Sequence, residues 1–192
     1  MAMRIIGGNA KGRRLFVPRG ASVRPTAARV KESLFNILPH DFSGLRVLDL
    51  FAGSGNLSIE SLSRGAAETV LVEASARSAT AIRENLRRFG LKTRAQLWVA
   101  PVSRTLRALA KRGEHFDLIF LDPPYDKGLL SPSLELIARG NLLRSAGTVV
   151  AEHSAREALQ PRYDSLVLND QRHYGDTRLS FFRRETETES KV

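Results

Sequence analysis

Apolar and polar positions change rhythm along this chain, and the rhythm predicts its elements. From residue 46 onward, short apolar runs at 46–51, 69–73, 95–99, 117–121 and 147–152 read as strands. Between them, stretches at 56–64, 75–89, 103–112 and 129–140 carry apolar residues at helical spacing. The stretch from Ser75 is the clearest, with Ser75 as N-cap and Ala79, Ile82, Leu86 and Phe89 along one stripe. Four strand–helix repeats with short apolar strands predict an α/β fold, a mostly parallel sheet covered by helices on both faces. The last third changes character: 165–168 and 178–182, separated by Asp170 to Asp176, predict an antiparallel hairpin at one sheet edge. Upstream, Arg4 to Gly8 and Arg13 to Pro18 predict a glycine-rich β-hairpin, and Thr26 caps an expected helix through Leu38. Within that helix Val30, Leu34, Ile37 and Leu38 share a face. Pro39 and Gly44 mark a boundary. The expected organisation is a hairpin-and-helix extension over 1–40, a main domain over 41–184, and a polar, frayed tail over 185–192.

Composition narrows the classes. A chain of 192 residues supports one domain with a sizeable core. No apolar run reaches the roughly 20 residues that span a bilayer, and no signal-peptide core follows Ile5-Ile6. The absence of cysteine excludes disulfides, thiolate nucleophiles and cysteine zinc sites, which suits a cytoplasmic protein. His40, His115, His153 and His173 lack metal-ligand spacing, so no metal is expected. His153 reads as a satisfied histidine before a pocket residue, and Trp98 as core. The net charge is +10, and residues 1–35 hold eight basic side chains against one acid, Glu32. A one-sided basic segment is the footprint expected of a phosphate-backbone partner, with a solvated face or a generally basic proteome as its bland alternative.

Three motifs carry chemistry. Asp49, Leu50, Phe51, Ala52, Gly53, Ser54 and Gly55 form a buried strand running into a Gly-x-Gly turn, where a ligand can approach backbone at a strand's carboxyl end. Ser58 stands where a dinucleotide fingerprint has its third glycine, and a simple tight turn is the bland alternative. Glu73 ends the second strand, where an acid binds two ribose hydroxyls. That need is common to nicotinamide dinucleotides and S-adenosylmethionine, and a solvent-facing helix cap is its alternative. At the end of the fourth strand stands Asp122-Pro123-Pro124-Tyr125. Asp122 and nearby carbonyls accept hydrogen bonds from an amino group, Tyr125 offers a face for a planar base, and two prolines fix the backbone between them.

Glycine loop, acid and Asp-Pro-Pro-Tyr in that order resemble the amino-methyltransferases that alkylate exocyclic amines of bases with S-adenosylmethionine. The resemblance extends to Arg4-Ile5-Ile6-Gly7-Gly8, Gly12-Arg13-Arg14-Leu15 and Arg24-Pro25-Thr26. It continues through Lys31-Glu32-Ser33-Leu34-Phe35-Asn36, Phe51 to Gly55 and Glu60 to Ala66. Over 3–183 the chain is similar to the bacterial 16S ribosomal RNA guanine-N2 methyltransferases, which modify the guanine at position 966. This resemblance implies a Rossmann-like class I methyltransferase fold with seven strands, the edge hairpin supplying the last two. It implies Asp122, Pro123, Pro124 and Tyr125 as catalytic residues. Cofactor contacts would fall on Asp49, Phe51, Ala52, Gly53, Ser54, Gly55, Glu73, Val102 and Asp122. RNA contacts would fall on Arg4, Lys11, Arg13, Arg14, Arg24, Thr26 and Arg29, and Tyr174-Gly175-Asp176 is either a structural turn or a further contact. The implied partner is 16S ribosomal RNA, within the 30S subunit or an assembly intermediate, met by a monomer. Pro101 departs from the pattern: it stands where such enzymes often place Asp or Asn against adenine, leaving that base to backbone groups and apolar packing that includes Val102. The rivals are an amino-methyltransferase of other base specificity, acting on DNA or RNA, a nucleic-acid-binding module with a decayed cofactor site, and a Rossmann dehydrogenase.

Overall fold

Short β-branched and leucine-rich runs separated by glycine, serine and proline give strands and helices close to the expected bounds. The structure is a computed structural model, described for residues 3–17, 25–125 and 127–185, without the side chains of residues 25–27. It divides into two units after Pro101.

The first unit contains α1 (Pro25–Ile37), β1 (Arg46–Leu50), α2 (Asn56–Ser63), β2 (Glu68–Val72), α3 (Ala76–Phe89) and β3 (Ala95–Trp98). β1 pairs in parallel with β2 from Arg46↔Glu68 to Leu50↔Val72, and β2 with β3 from Thr69↔Ala95 to Val72↔Trp98. The last four residues of β1 and of β2 are buried, as expected of strands covered on both sides. β3 is more open, and Trp98 is half-buried, not the core residue expected. Ser75 caps α3, its hydroxyl oxygen accepting from the Ser78 N–H at 3.3 Å, and Gly90 ends the helix in the left-handed conformation at φ +68°.

The expected N-terminal hairpin is reduced to a single antiparallel bridge, Arg4↔Arg14, around a 3-10 turn at Gly8–Ala10. The Ile5 N–H donates to the Arg13 carbonyl (3.0 Å) and the Leu15 N–H to the Met3 carbonyl (2.9 Å), with Ile5 and Leu15 buried. The arm lies against the end of α2 so closely that a Cβ on Gly8 would sit 1.8 Å from the Ser63 carbonyl oxygen. Expected cap Thr26 falls inside α1, which begins at Pro25, and its side chain is outside the described residues.

The second unit contains α4 (Val102–Lys111), β4 (Phe116–Leu121), α5 (Leu130–Arg139), β5 (Leu143–Ser154), β6 (Arg162–Tyr163), β7 (Leu166–Tyr174) and β8 (Thr177–Arg184). β4 pairs in parallel with β5, ending at Leu121↔Ala151. β5 then pairs antiparallel with β8 from Thr148↔Arg183 to Ser154↔Thr177, β8 with β7, and β7 with β6. Among the described residues there are eight strands, one more than the expected seven; the addition is the two-residue β6. The edge hairpin is also longer than its apolar core indicated. The expected loop from Asp170 to Asp176 shrinks to the turn Gly175-Asp176, Gly175 lying at φ +61°, because β7 continues through exposed polar residues that alternation alone does not mark. Glu185, expected in a frayed tail, donates its N–H to the Ser165 carbonyl (2.9 Å) and accepts two 2.6 Å bonds from Arg162. Residues 186–192 lie outside the described residues.

Candidate functional site

The glycine turn is held by a polar frame. Phe51 adopts φ +64°, a conformation that costs a non-glycine residue about 1–3 kcal/mol and persists only where its surroundings over-determine it. Those surroundings are visible. The Ala52 N–H donates to the Val72 carbonyl (3.0 Å) and the Gly55 N–H to the Ala52 carbonyl (2.7 Å). Gly55, at φ +80°, is the N-cap of α2 and has no side chain to serve the helix's first amides. Asp49 takes over that role from β1, its buried carboxylate accepting from the Ser58 N–H (3.1 Å) and the Ser58 hydroxyl (2.7 Å). Ser58 in place of a third glycine is thereby explained. At 1 % exposure, Asp49 orients the loop from beneath.

Glu73 faces the same turn. One carboxylate oxygen accepts from the Gly53 N–H (2.8 Å) and the other from the Ser75 N–H (2.7 Å), so the acid is tied to the glycine loop as well as to the start of α3. It is half-buried, and a Cβ on Gly53 would meet no atom within 4 Å. A half-buried acid beside an unobstructed glycine backbone fits the ribose end of a nucleoside cofactor. Val102 opens α4 at 7 % exposure, directly after the exposed Pro101.

Two further side chains, neither assigned a site role from the sequence, support this region. Asn85 sits on the apolar stripe of α3 at 0 % exposure. Its Nδ2 donates to the Ser54 carbonyl (2.9 Å) and to the Phe16 carbonyl (2.9 Å), while its Oδ1 accepts from the Phe16 N–H (2.7 Å). One carboxamide thus holds the glycine loop and the N-terminal arm together. The second is Glu60 on α2, also at 0 % exposure. It accepts from Lys31 (2.9 Å), from Arg64 (2.9 Å), and from the Ile6 and Gly7 N–H groups (2.9 and 2.8 Å). Lys31 donates further to Asn56 Oδ1 (2.7 Å) and the Arg4 carbonyl (3.0 Å), which accounts for all three ammonium protons. Burial pushes Lys31 below the ordinary lysine range, against the opposing pull of Glu60. The Arg64 guanidinium lies 4.7 Å over the Phe35 ring. A polar residue within an apolar stripe is the signal that marks Asn85; Lys31 and Glu60 gave no such signal.

The basic arm consequently divides. Lys31 is an internal ion. Arg13 is docked on α3, 4.3 Å over the Phe89 ring and donating to the Arg88 carbonyl at 2.6 Å. Arg4, Lys11, Arg14 and Arg29 are exposed. Arg24 lies outside the described residues.

In the second unit, Asp122-Pro123-Pro124-Tyr125 follows the buried β4 directly, with Asp122 exposed, Pro123 buried and Tyr125 half-buried. The Tyr125 hydroxyl lies 3.0 Å from the Thr177 hydroxyl and donates to Glu152 Oε1 at 3.3 Å, which fixes the ring at its far end. His153 is a satisfied histidine: its Nδ1 lies 3.0 Å from the Ser154 carbonyl and its Nε2 2.8 Å from the Ser180 hydroxyl, and burial pushes its pKa down.

The chain is similar to known proteins over almost all of its length. YlbH of Bacillus subtilis (strain 168), named as an rRNA methyltransferase, is 40% identical over 182 residues, covering 95% of this chain and 99% of that protein. The ribosomal RNA small subunit methyltransferase D of Escherichia coli (strain K12) is 33% identical over 188 residues, 98% of this chain and 93% of that one. The solved structure of yhhF from Escherichia coli, described as a methyltransferase, superposes with a TM-score of 0.83 at 30% identity, covering 97% of this chain and all of that one. The fold is that of the class I S-adenosylmethionine-dependent methyltransferases. With residues 3–183 matched, the chain belongs to the family described as Conserved hypothetical protein 95.

Proposed function

We propose that this protein methylates the exocyclic N2 of a guanine in 16S ribosomal RNA, the guanine at position 966, with S-adenosylmethionine as donor. The observation that carries the reading is Asp122-Pro123-Pro124-Tyr125, an acid and a fixed aromatic ring at the carboxyl end of a buried strand. The similarity to small-subunit RNA methyltransferases supports the substrate class. S-adenosylmethionine, when bound, supplies an electrophilic methyl group. Glu73 accepts its ribose hydroxyls, and the backbone of Phe51 to Gly55 leaves room for it. The N2 lone pair of guanine is delocalised into the ring, so the amine is a weak nucleophile. Asp122 accepts one of its hydrogens, which localises the lone pair and favours pyramidal nitrogen as charge develops. The methyl would pass from the donor sulfur, left as a neutral thioether, to N2, and the proton of the alkylated nitrogen, acidic by that stage, would go to the Asp122 carboxylate and on to solvent. Tyr125 stacks on the base once it has left its helix or loop, returning about 1–3 kcal/mol of the cost of extrusion. Arg4, Lys11, Arg14 and Arg29 receive RNA phosphates from the exposed side of the arm and α1.

The test is transfer of tritiated methyl to small subunits lacking the modification, with the product nucleoside identified by mass spectrometry. N2-methylguanosine at a single position is the expected product. A methylated adenosine or cytidine, or incorporation into DNA alone, overturns the reading.

A further inference from the structure

β4 and β5 are adjacent parallel strands whose last register pair is Leu121↔Ala151. Asp122 and Glu152 each stand one residue beyond that pair. Glu152 is half-buried, and its Oε1 accepts from the hydroxyl of Tyr125, the ring proposed as the stacking platform. Two carboxylates are thus linked through one Asp-Pro-Pro-Tyr segment: Asp122 opens it, and Tyr125 at its end is bonded to Glu152.

We infer that Glu152 is the specificity-determining residue of this clamp, accepting the N1–H of guanine. The inference rests on the methyltransferase reading above and names the group that chooses the base. Guanine presents two neighbouring donors, N1–H and the N2 amine, and a pair of carboxylates is an acceptor-only array that complements them. Adenine places the N1 lone pair beside its amine, and cytosine the N3 lone pair. Either would set that lone pair against a carboxylate. Sites built to hydrogen-bond a substrate N–H reject analogues lacking it strongly, because their polar groups are left unpaired. The bond from Tyr125 does not exhaust Glu152, since an ionised carboxylate has about four acceptor positions. Thr177, 5 % exposed and 3.0 Å from the same hydroxyl, provides a second anchor for the ring. The ring is therefore held when Glu152 turns to the base.

The test uses small subunits reconstituted with RNA carrying either guanine or 2-aminopurine at the target position. The analogue keeps the 2-amine and replaces N1–H with a lone pair. Wild-type protein should favour guanine in kcat/KM by at least about tenfold, the effect of one hydrogen bond to a charged group. Glu152→Gln offers an amide N–H to N1 and should shrink that preference by about tenfold or more, through slower guanine turnover and faster 2-aminopurine turnover. Tyr125→Phe keeps the ring and removes the hydroxyl bond. It should slow both substrates alike and leave their ratio unchanged. A wild-type protein indifferent to N1–H overturns the inference, as does an unaltered ratio in Glu152→Gln. A ratio altered equally by Tyr125→Phe assigns Glu152 to holding the ring and overturns it too. Absence of methyl transfer to guanine by the wild type is a separate outcome: it removes the proposed function, and the inference with it.

Discussion

The glycine loop and the Asp-Pro-Pro-Tyr clamp are stabilised by opposite means. The loop is tied down by a polar network in which every member has a partner: Asp49 on Ser58, Glu73 on Gly53, Asn85 on Ser54, and Lys31 joining Asn56 to Glu60. In the clamp, two prolines stiffen the backbone and the Tyr125 hydroxyl anchors the ring to Glu152 and Thr177. A loop receiving one invariant small molecule gains from complete preorganisation, because ordering it on binding would weaken affinity. The proposed role of the clamp, receiving a base extruded from RNA, asks for a fixed acid and a fixed ring.

The sharpest way to break this contrast is at Glu60. Glu60→Ala leaves two buried cations without their acid and releases two arm amides, which should cost about 3–5 kcal/mol of stability. Urea denaturation measures it. A loss below about 1 kcal/mol would mean that the network is ornamental and the loop holds itself. Asp122→Ala is the counterpart on the other side. It should lower kcat by about 10²–10³ while leaving the unfolding midpoint and S-adenosylmethionine affinity within error. Near-normal turnover would remove Asp122 from the chemistry.

The contrast also explains what the sequence made legible. The position of Asp122-Pro123-Pro124-Tyr125 was readable because the four residues follow an apolar run, and they do stand directly after the buried β4. Strands β1, β2 and β4 were readable because burial makes them mostly apolar. The loop's glycines were readable, but their supports were not. Asn85 reaches Ser54 across 31 residues and Glu60 reaches Ile6 across 54, and no local pattern encodes such contacts. Charge was the most misleading signal. Counting Lys31 with the surface cations treated an internal ion as exposed, while Arg13, itself exposed, is engaged with the Phe89 ring and the Arg88 carbonyl. The N-terminal hairpin is shorter than expected: the two segments pair antiparallel at Arg4↔Arg14, while the Ile6, Gly7 and Ala10 amides are satisfied by Glu60 and Ser63 of α2.

Glu73→Ala tests preorganisation directly. Losing the bond to Gly53 along with the ribose contact should weaken S-adenosylmethionine binding by roughly 10–100-fold, the effect of about 1.5–3 kcal/mol, with RNA affinity unchanged. Calorimetry with the cofactor alone reads it. Smaller still is the difference between two neighbouring arginines. Arg14→Ala should reduce the slope of log affinity against log salt by about 0.7 to 0.9 at unchanged stability, as expected for one lost phosphate contact. Arg13→Ala should instead cost about 0.5–1 kcal/mol of stability through its lost stacking on Phe89, with the salt slope preserved. An identical slope change for both would return Arg13 to the RNA-facing set.

The smallest effect concerns a buried polar chain in the second unit, where His153 lies 2.8 Å from Ser180 and Gln171 donates to the same hydroxyl at 2.9 Å. Burial holds His153 neutral, and nearby Arg178 and His173 act in the same direction. The unfolded chain takes up a proton near the ordinary histidine value of about 6.5, and the folded chain does so only at lower pH. Its contribution to stability is therefore complete above about pH 6.5 and is lost as pH falls towards the depressed folded value. Between pH 7.5 and 5.5 the wild type should lose more stability than His153→Gln does, measured by urea denaturation at each pH. If both lose equally, His153 titrates alike in the folded and unfolded chain. The second unit would then draw no pH-dependent stability from His153.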